Sequence, residues 1–224
     1  MNAALQLEGV TFQYEGPNPV RALSGIDLEV KVGELVAITG PSGSGKTTLL
    51  SIAGCLLRPS AGRVVVSGID VTRLSLRDRY LLRREHIGFV FQGAGLFEHL
   101  TAVQNVEMAL LFRGLSRSQR ESAALNSLAS VGLLERRNHL PGQLSGGEAQ
   151  RVGVARSFAG DPSLILADEP TGNLDRRSGL SVVDQLRALR DQGVAVVVVT
   201  HDAEVAAQTD RTVQLSDGRL GVMR

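Results

Sequence analysis

Apolar and polar residues alternate over Leu5–Tyr14, and again over Ala22–Val32 after the turn-forming Gly16-Pro17-Asn18-Pro19. That pattern predicts an antiparallel strand pair with one buried face. Leu35–Thr39 is a short, nearly continuous apolar run and reads as a buried strand, and the residues from Thr48 to Ala53 read as the start of a helix. A turn at Arg58–Gly62 leads into a strand over Arg63–Ser67, a short charged helix over Asp78–Glu85, and a strand over Ile87–Phe91. From Thr101 to Phe158 the period becomes helical. Thr101 can cap a helix carrying Val103, Val106, Leu110 and Leu111, and a second helix over about Ser118–Val131 gathers Ala124, Leu125, Leu128 and Val131 on one face. Leu164–Ala167 and Val194–Thr200 are buried strands flanking a helix that ends near Arg190. Thr212–Leu220, with an Asp217-Gly218 turn, reads as a small hairpin. The order of elements predicts an α/β core with a helical insertion.

The 224 residues suffice for one sizeable core or two small ones. A formal net charge of +1, with both signs mixed along the chain, gives no electrostatic case for a nucleic-acid partner. The single cysteine, Cys55, is expected within the helix after Lys46-Thr47, as a small core residue, since one thiol makes neither a disulfide nor a cysteine-based zinc site. No Lys or Arg precedes Arg21 and no apolar segment follows the N-terminus, so nothing there reads as a signal peptide. The longest apolar run, Val194–Val199, is far short of a membrane span. The expectation is a soluble, cytoplasmic chain whose membrane partner, if any, is another polypeptide.

Against this background Gly40-Pro41-Ser42-Gly43-Ser44-Gly45-Lys46-Thr47 fits the phosphate-binding loop pattern, with a strand before it and a helix after it. Glycines at 40, 43 and 45 let backbone N–H groups and the helix N-terminus converge on one anion. Lys46 would reach the outer phosphates, and the Thr47 hydroxyl would bind magnesium. A glycine-rich turn before an ordinary helix is the plainer alternative. Asp168 and Glu169 end another apolar strand; they make either a solvated loop or, beside a phosphate loop, a magnesium ligand and a base for the attacking water. His201 likewise follows a strand. Parallel α/β sheets bind ligands beyond the carboxyl ends of their strands, which would bring the three together. Ser145 with Glu148 forms a capping box, yet Gly146 and Gly147 weaken a helix start unless bare N–H groups must approach a phosphate. Tyr14 alone reads more readily as edge packing than as a base-stacking ring. Gln92 precedes Gly93-Ala94-Gly95, where the chain can hinge.

Taken together these residues resemble the nucleotide-binding subunit of an ATP-binding cassette transporter, over nearly the whole chain. Gly40–Thr47 matches that family's phosphate loop, Gln92 its Q-loop glutamine, Leu144–Glu148 its signature, Leu164–Glu169 its second nucleotide motif, Asn173-Leu174-Asp175 its D-loop and His201 its switch histidine. The resemblance implies a phosphate-loop NTPase (RecA-like) core, an N-terminal antiparallel β subdomain and an inserted helical subdomain at about 93–159, all one domain over 1–224. It implies ATP and Mg²⁺ as ligands. Tyr14 would stack on adenine, and Gly40, Ser42, Gly43, Ser44, Gly45, Lys46, Thr47 and Thr48 would hold the phosphates. Ser145, Gly146, Gly147 and Asp175 would act across a head-to-tail homodimer that sandwiches two ATP. Thr47, Gln92 and Asp168 would serve the metal, and Glu169, His201, Gln92 and Lys46 the catalysis.

The resemblance further implies a separate integral membrane permease contacted by about 93–112, and a peripheral location on the cytoplasmic face of the inner membrane. Glu169–Asp175 and Leu100–Val106 look most like the lipoprotein-releasing, macrolide-efflux and cell-division branch. Glu148-Ala149 and Ser157-Phe158 depart from the usual Gln-Gln and Ala-Leu. A solute importer is the alternative; an ATPase acting on a ribosome or DNA is disfavoured by the single cassette, and a module that merely dimerises on ATP is disfavoured by having both Glu169 and His201.

Overall fold

A computed structural model describes residues 3–222; residues 1, 2, 223 and 224 of the expected domain lie outside the described residues. Strands β1 (Ala3–Tyr14) and β2 (Val20–Lys31) pair antiparallel, as the alternation requires. They are joined by β4 (Ala61–Val66) and β5 (Ile69–Asp70) into a four-stranded sheet in the order β2-β1-β4-β5. The second sheet holds β3 (Leu35–Thr39), β6 (Ile87–Val90), β7 (Leu164–Asp168), β8 (Ala195–Val199), β9 (Arg211–Ser216) and β10 (Arg219–Val222). Its order is β10-β9-β3-β8-β7-β6, parallel from β9 to β6, with β10 antiparallel at one edge. The terminal hairpin is therefore larger in role than its sequence suggests, because β9 extends the main sheet by pairing with β3.

Helices cover the main sheet. On one face α1 (Lys46–Ala53) packs with the apolar face of the small sheet, burying Leu49, Ile52, Val36, Ile38 and Val197. On the other, α6 (Arg176–Asp191) lays down Val182, Val183, Leu186 and Leu189 against Ile165, Val196 and Val198. The remaining elements are α2 (Leu76–His86) and, in the inserted stretch, α3 (Ala102–Glu107), α4 (Arg117–Ser130) and α5 (Gly146–Phe158), with the single turn α7 (Ala203–Ala206) before β9. Ala102, Val106, Leu110, Ala124, Leu128 and Val152 form a third apolar cluster confined to that stretch.

Two local expectations change. Helix α3 stops at Glu107 and tightens into a 3₁₀ turn over Met108–Leu110, so Leu111 leaves the buried face and Ala102 occupies it. Asn105, fully buried, organises the approach to the helix: its side-chain amide donates to the carbonyls of Phe97, Leu100 and Thr101, and its Oδ1 accepts from Phe97 N–H, winding the preceding loop around one polar centre. Cys55 lies beyond α1, which is capped at Gly54, although it is buried as expected. Burial pushes its thiol up to about 11.

Candidate nucleotide site

The site begins where β3 ends. Gly40 and Gly45 are fixed by close approach: a Cβ at Gly40 would lie 2.0 Å from the Leu215 carbonyl oxygen, and one at Gly45 would lie 2.5 Å from that of Ala22. Only glycine lets the loop run between β9 and β2. The turn of the terminal hairpin closes it, with Gly218 N–H donating to the Ser44 carbonyl and Ser24 N–H to the Gly218 carbonyl. Ser42 and Gly43 are exposed, whereas Ser44 is buried. Helix α1 starts from Gly45 with no side-chain cap and no acid in its first turn, which leaves its N-terminus open to an anion. Lys46 Nζ donates to the carbonyls of Gly40 and Pro41, each at 2.8 Å, and so spans the loop.

A cavity of about 500 Å³ opens beside the loop, lined by Tyr14, Arg21, Lys46, Thr47, Thr48 and Asp217 among others. Tyr14 packs edge-on against Phe12 at 4.9 Å and shares a 3.0 Å hydrogen bond between its hydroxyl and that of Thr48. The Tyr14 side chain thus packs at the sheet edge and also borders the cavity. Arg21 and Asp217 were not singled out by sequence. Arg21 lies at the start of β2 and Asp217 on the turn of the terminal hairpin, far apart in the chain, and the docking of that hairpin against β2 brings them together.

At the ends of β7 and β8 the titratable groups assemble. Thr47 Oγ1 donates to Asp168 Oδ2 at 3.2 Å. Burial, together with the neighbouring Glu169 charge, raises the Asp168 carboxyl above its ordinary value, against the lowering effect of Thr47 and Lys46. Glu169 takes a left-handed backbone, φ +45°, and its N–H donates to the Val199 carbonyl. That turn aims its carboxylate at His201, whose Nδ1 lies 2.9 Å from Glu169 Oε1. The hydrogen bond and charge of Glu169 raise the His201 pKa. The second oxygen, Oε2, is buried without a hydrogen-bond partner. The assembly can bind a polyanion at the loop and accept a proton at Glu169.

Gln92 stands apart from this group. Its Nε2 donates to Asn173 Oδ1 at 3.4 Å, and it makes no hydrogen bond to Thr47 or Asp168. The three residues after it all have positive φ, 72°, 61° and 55°, so the chain does reverse sharply here. Helix α5 grips that reversal: Gln150 donates to the Phe91 carbonyl, and Arg156 donates to the carbonyls of Ala94 and Gly95. At its other end Ser145 and Glu148 form the expected capping box. Gly146 is exposed, but Gly147 is buried, and a Cβ there would meet Ser178 Oγ at 2.6 Å. Packing alone therefore requires glycine at 147. Asp175 caps α6, accepting from the N–H and hydroxyl of Ser178. Ser145, Gly146, Gly147 and Asp175 thus lie together, away from the cavity beside the phosphate loop.

Residues 23–172 match the ABC transporter family model. The macrolide export ATP-binding/permease protein MacB of Salmonella typhimurium is 46% identical over 221 residues, covering 98% of this chain and 34% of that protein. MacB 1/2 of Paracoccus denitrificans is 47% identical over 217 residues, 96% of this chain and 32% of that protein. The chain spans about a third of the length of these curated relatives. A dimeric, post-hydrolysis structure of the ATP-binding cassette MJ0796, bound to ADP and Pi, superposes with a TM-score of 0.89 at 41% identity, covering 98% of this chain and 99% of that one. The structure of cbiO1 of Clostridium perfringens, part of the ABC transporter complex cbiONQ, superposes with a TM-score of 0.89 at 26% identity over 99% and 88% of the two chains. On the strength of the match across residues 23–172 and of these relatives, the chain belongs to the ABC transporter family, as its ATP-binding ATPase domain.

Proposed function

We propose that this domain hydrolyses ATP at two sites of a head-to-tail homodimer and drives a membrane-spanning permease from the cytoplasmic face of the membrane. The observation that carries the reading is the juxtaposition of Thr47–Asp168 and Glu169–His201 at the carboxyl ends of adjacent strands beside the phosphate loop. Glu169 Oε2, buried and unpartnered, is the acceptor for the proton of the attacking water, while His201 holds Oε1 and fixes the carboxylate. Lys46 and the open end of α1 bind the phosphates, and Tyr14 supports the base.

Magnesium fits the donors present. The Thr47 hydroxyl and Asp168 carboxylate are hard oxygen ligands held 3.2 Å apart beside the phosphate loop. Among the described residues no three His, Cys, Asp or Glu side chains form a metal cage, which suits an ion that keeps waters and phosphate oxygens as ligands. Bound there, magnesium would neutralise charge on the outer phosphates. Gln92 would join this shell through its amide oxygen, its Nε2 being the atom that donates to Asn173.

Ser145, Gly146 and Gly147 act on the ATP of the second copy. Their separation from the phosphate-loop cavity supports this, as does the dimeric arrangement of the similar cassette MJ0796. Residues 93–159 form the subdomain that meets the permease. A groove of about 510 Å³ supports that assignment, with Phe91, Phe97 and Phe112 beside Arg84, Arg113 and Arg156. Phe97 and Phe112 are 53% and 65% exposed. No described helix is long and apolar enough to cross a membrane, and the MacB relatives are named as ATP-binding/permease proteins. Macrolide export, as in those relatives, is the branch favoured here.

The deciding experiment is Glu169→Gln. ATP binding should persist while turnover falls by about 10²- to 10⁴-fold, the usual contribution of a positioned acid–base group. An ATP-dependent dimer should accumulate on size exclusion, and near-normal turnover would remove Glu169 from this role.

A further inference from the structure

The start of α5 carries a charge conflict. Ser145 Oγ accepts from Glu148 N–H at 3.2 Å, and the N–H groups of Gly146 and Gly147 have no hydrogen-bond partner among the described residues. Those N–H groups suit an anion. Yet the capping box places the Glu148 carboxylate within the same helical turn, accepting from Ser145 N–H at 2.9 Å. A phosphate approaching the glycines would meet a like charge, and this helix end is already partly neutralised by its own acid.

Arg136 answers that charge. It ends a 3₁₀ turn at Leu134–Arg136, held in place by Arg136 N–H donating to the Leu133 carbonyl and His139 N–H donating to the Arg136 carbonyl. Its Nε donates to Glu148 Oε1 at 3.1 Å, with His139 Nε2 at 3.4 Å from its Nη1. Both Glu148 oxygens are thereby occupied, one by the cap and one by the guanidinium. The Glu148 pKa is lowered by the Ser145 backbone and then by Arg136, so the carboxylate stays charged and its compensation must come from outside. We infer that Arg136 is a positioning residue of the nucleotide sandwich: it neutralises Glu148 so that the N-terminus of α5 can receive the terminal phosphate of ATP held by a second copy of this chain.

The inference rests on the sandwich proposed above. An ordinary surface ion pair would contribute a little stability and leave ATP dependence untouched. The test uses the full chain in the Glu169→Gln background, measuring the ATP concentration for half-maximal dimer by light scattering at low salt. Arg136→Ala and Arg136→Gln should raise it about three- to tenfold, the range of one charge at a helix end. Adding Glu148→Gln, which keeps the capping oxygen without the charge, should return the value to within about twofold of the parent. The shift should shrink at about 1 M salt, where the Debye length is ~3 Å. ATP binding by the monomer, read with a fluorescent ATP analogue, should not change. If the Arg136 variants dimerise like the parent, or if Glu148→Gln fails to rescue them, the inference is overturned. If the parent binds ATP but forms no dimer, the sandwich itself falls and takes this inference with it.

Discussion

Glu169 holds a left-handed backbone conformation that costs a residue with a Cβ on the order of 1–3 kcal/mol. The cost is offset by a hydrogen bond from its N–H to Val199 and by the contact it makes with His201. That contact has a pH signature. His201 is raised above its ordinary 6.5, so the folded state favours the imidazolium. The pair's contribution to stability is fully present below about pH 6.5 and is lost as pH rises through the raised folded value. Comparison of urea midpoints for the parent and His201→Gln between about pH 5.5 and 8.5 should show the gap between them closing as pH rises. A gap independent of pH would break the assignment. Positions of Thr47, Asp168, Glu169 and His201 were legible from sequence, since each follows an apolar strand. The bond between Gln92 and Asn173 was not, because it joins side chains 81 residues apart through loops whose course no periodicity records.

At the scale of elements, the two glycines that open α5 separate cleanly. A Cβ on Gly147 meets Ser178 Oγ at 2.6 Å and its Cβ at 2.8 Å, whereas one on Gly146 has only Leu174 Cδ2 at 3.7 Å. Overpacking costs about 1–3 kcal/mol, against roughly 1 kcal/mol gained by replacing a helical glycine with alanine. Gly147→Ala should therefore unfold at lower urea, by up to about 2 kcal/mol, with Ser178→Gly restoring most of the loss. Gly146→Ala should leave stability equal or slightly higher while impairing the ATP-driven dimer, and a normal dimer would show that nothing approaches the Gly146 Cα closely in the sandwich. Strands and caps were readable because alternation and S-x-x-E or T-x-x-Q spacing act locally. The winding of residues 97–101 around Asn105 was not, since the carbonyls that Asn105 collects lie in a loop without pattern.

For the whole molecule, the groove beside the Gln92 reversal gathers guanidiniums whose hydrogen bonds go mainly to backbone carbonyls, Arg84 alone among Arg84, Arg113 and Arg156 also meeting a carboxylate. If the proposed permease docks here, Phe112→Asp should abolish its co-purification from detergent-solubilised membranes yet leave ATP binding within about twofold, because an isolated surface change rarely disturbs a distant site. Retained co-purification would place the docking face elsewhere. The α/β class and the helical insertion were legible from the order of periods; the pairing of β9 with β3 was not, since a hairpin pattern does not say which sheet receives it. That pairing bears on how the protein is made. The strand that delivers the phosphate loop, at residues 35–39, is flanked only by strands at 195–199 and 211–216. During synthesis it waits, unpaired, until residues 195–216 have emerged, and such long-range closure is slow. ATP binding is then a late event in the life of the nascent chain, and nucleotide cannot help the early residues to fold.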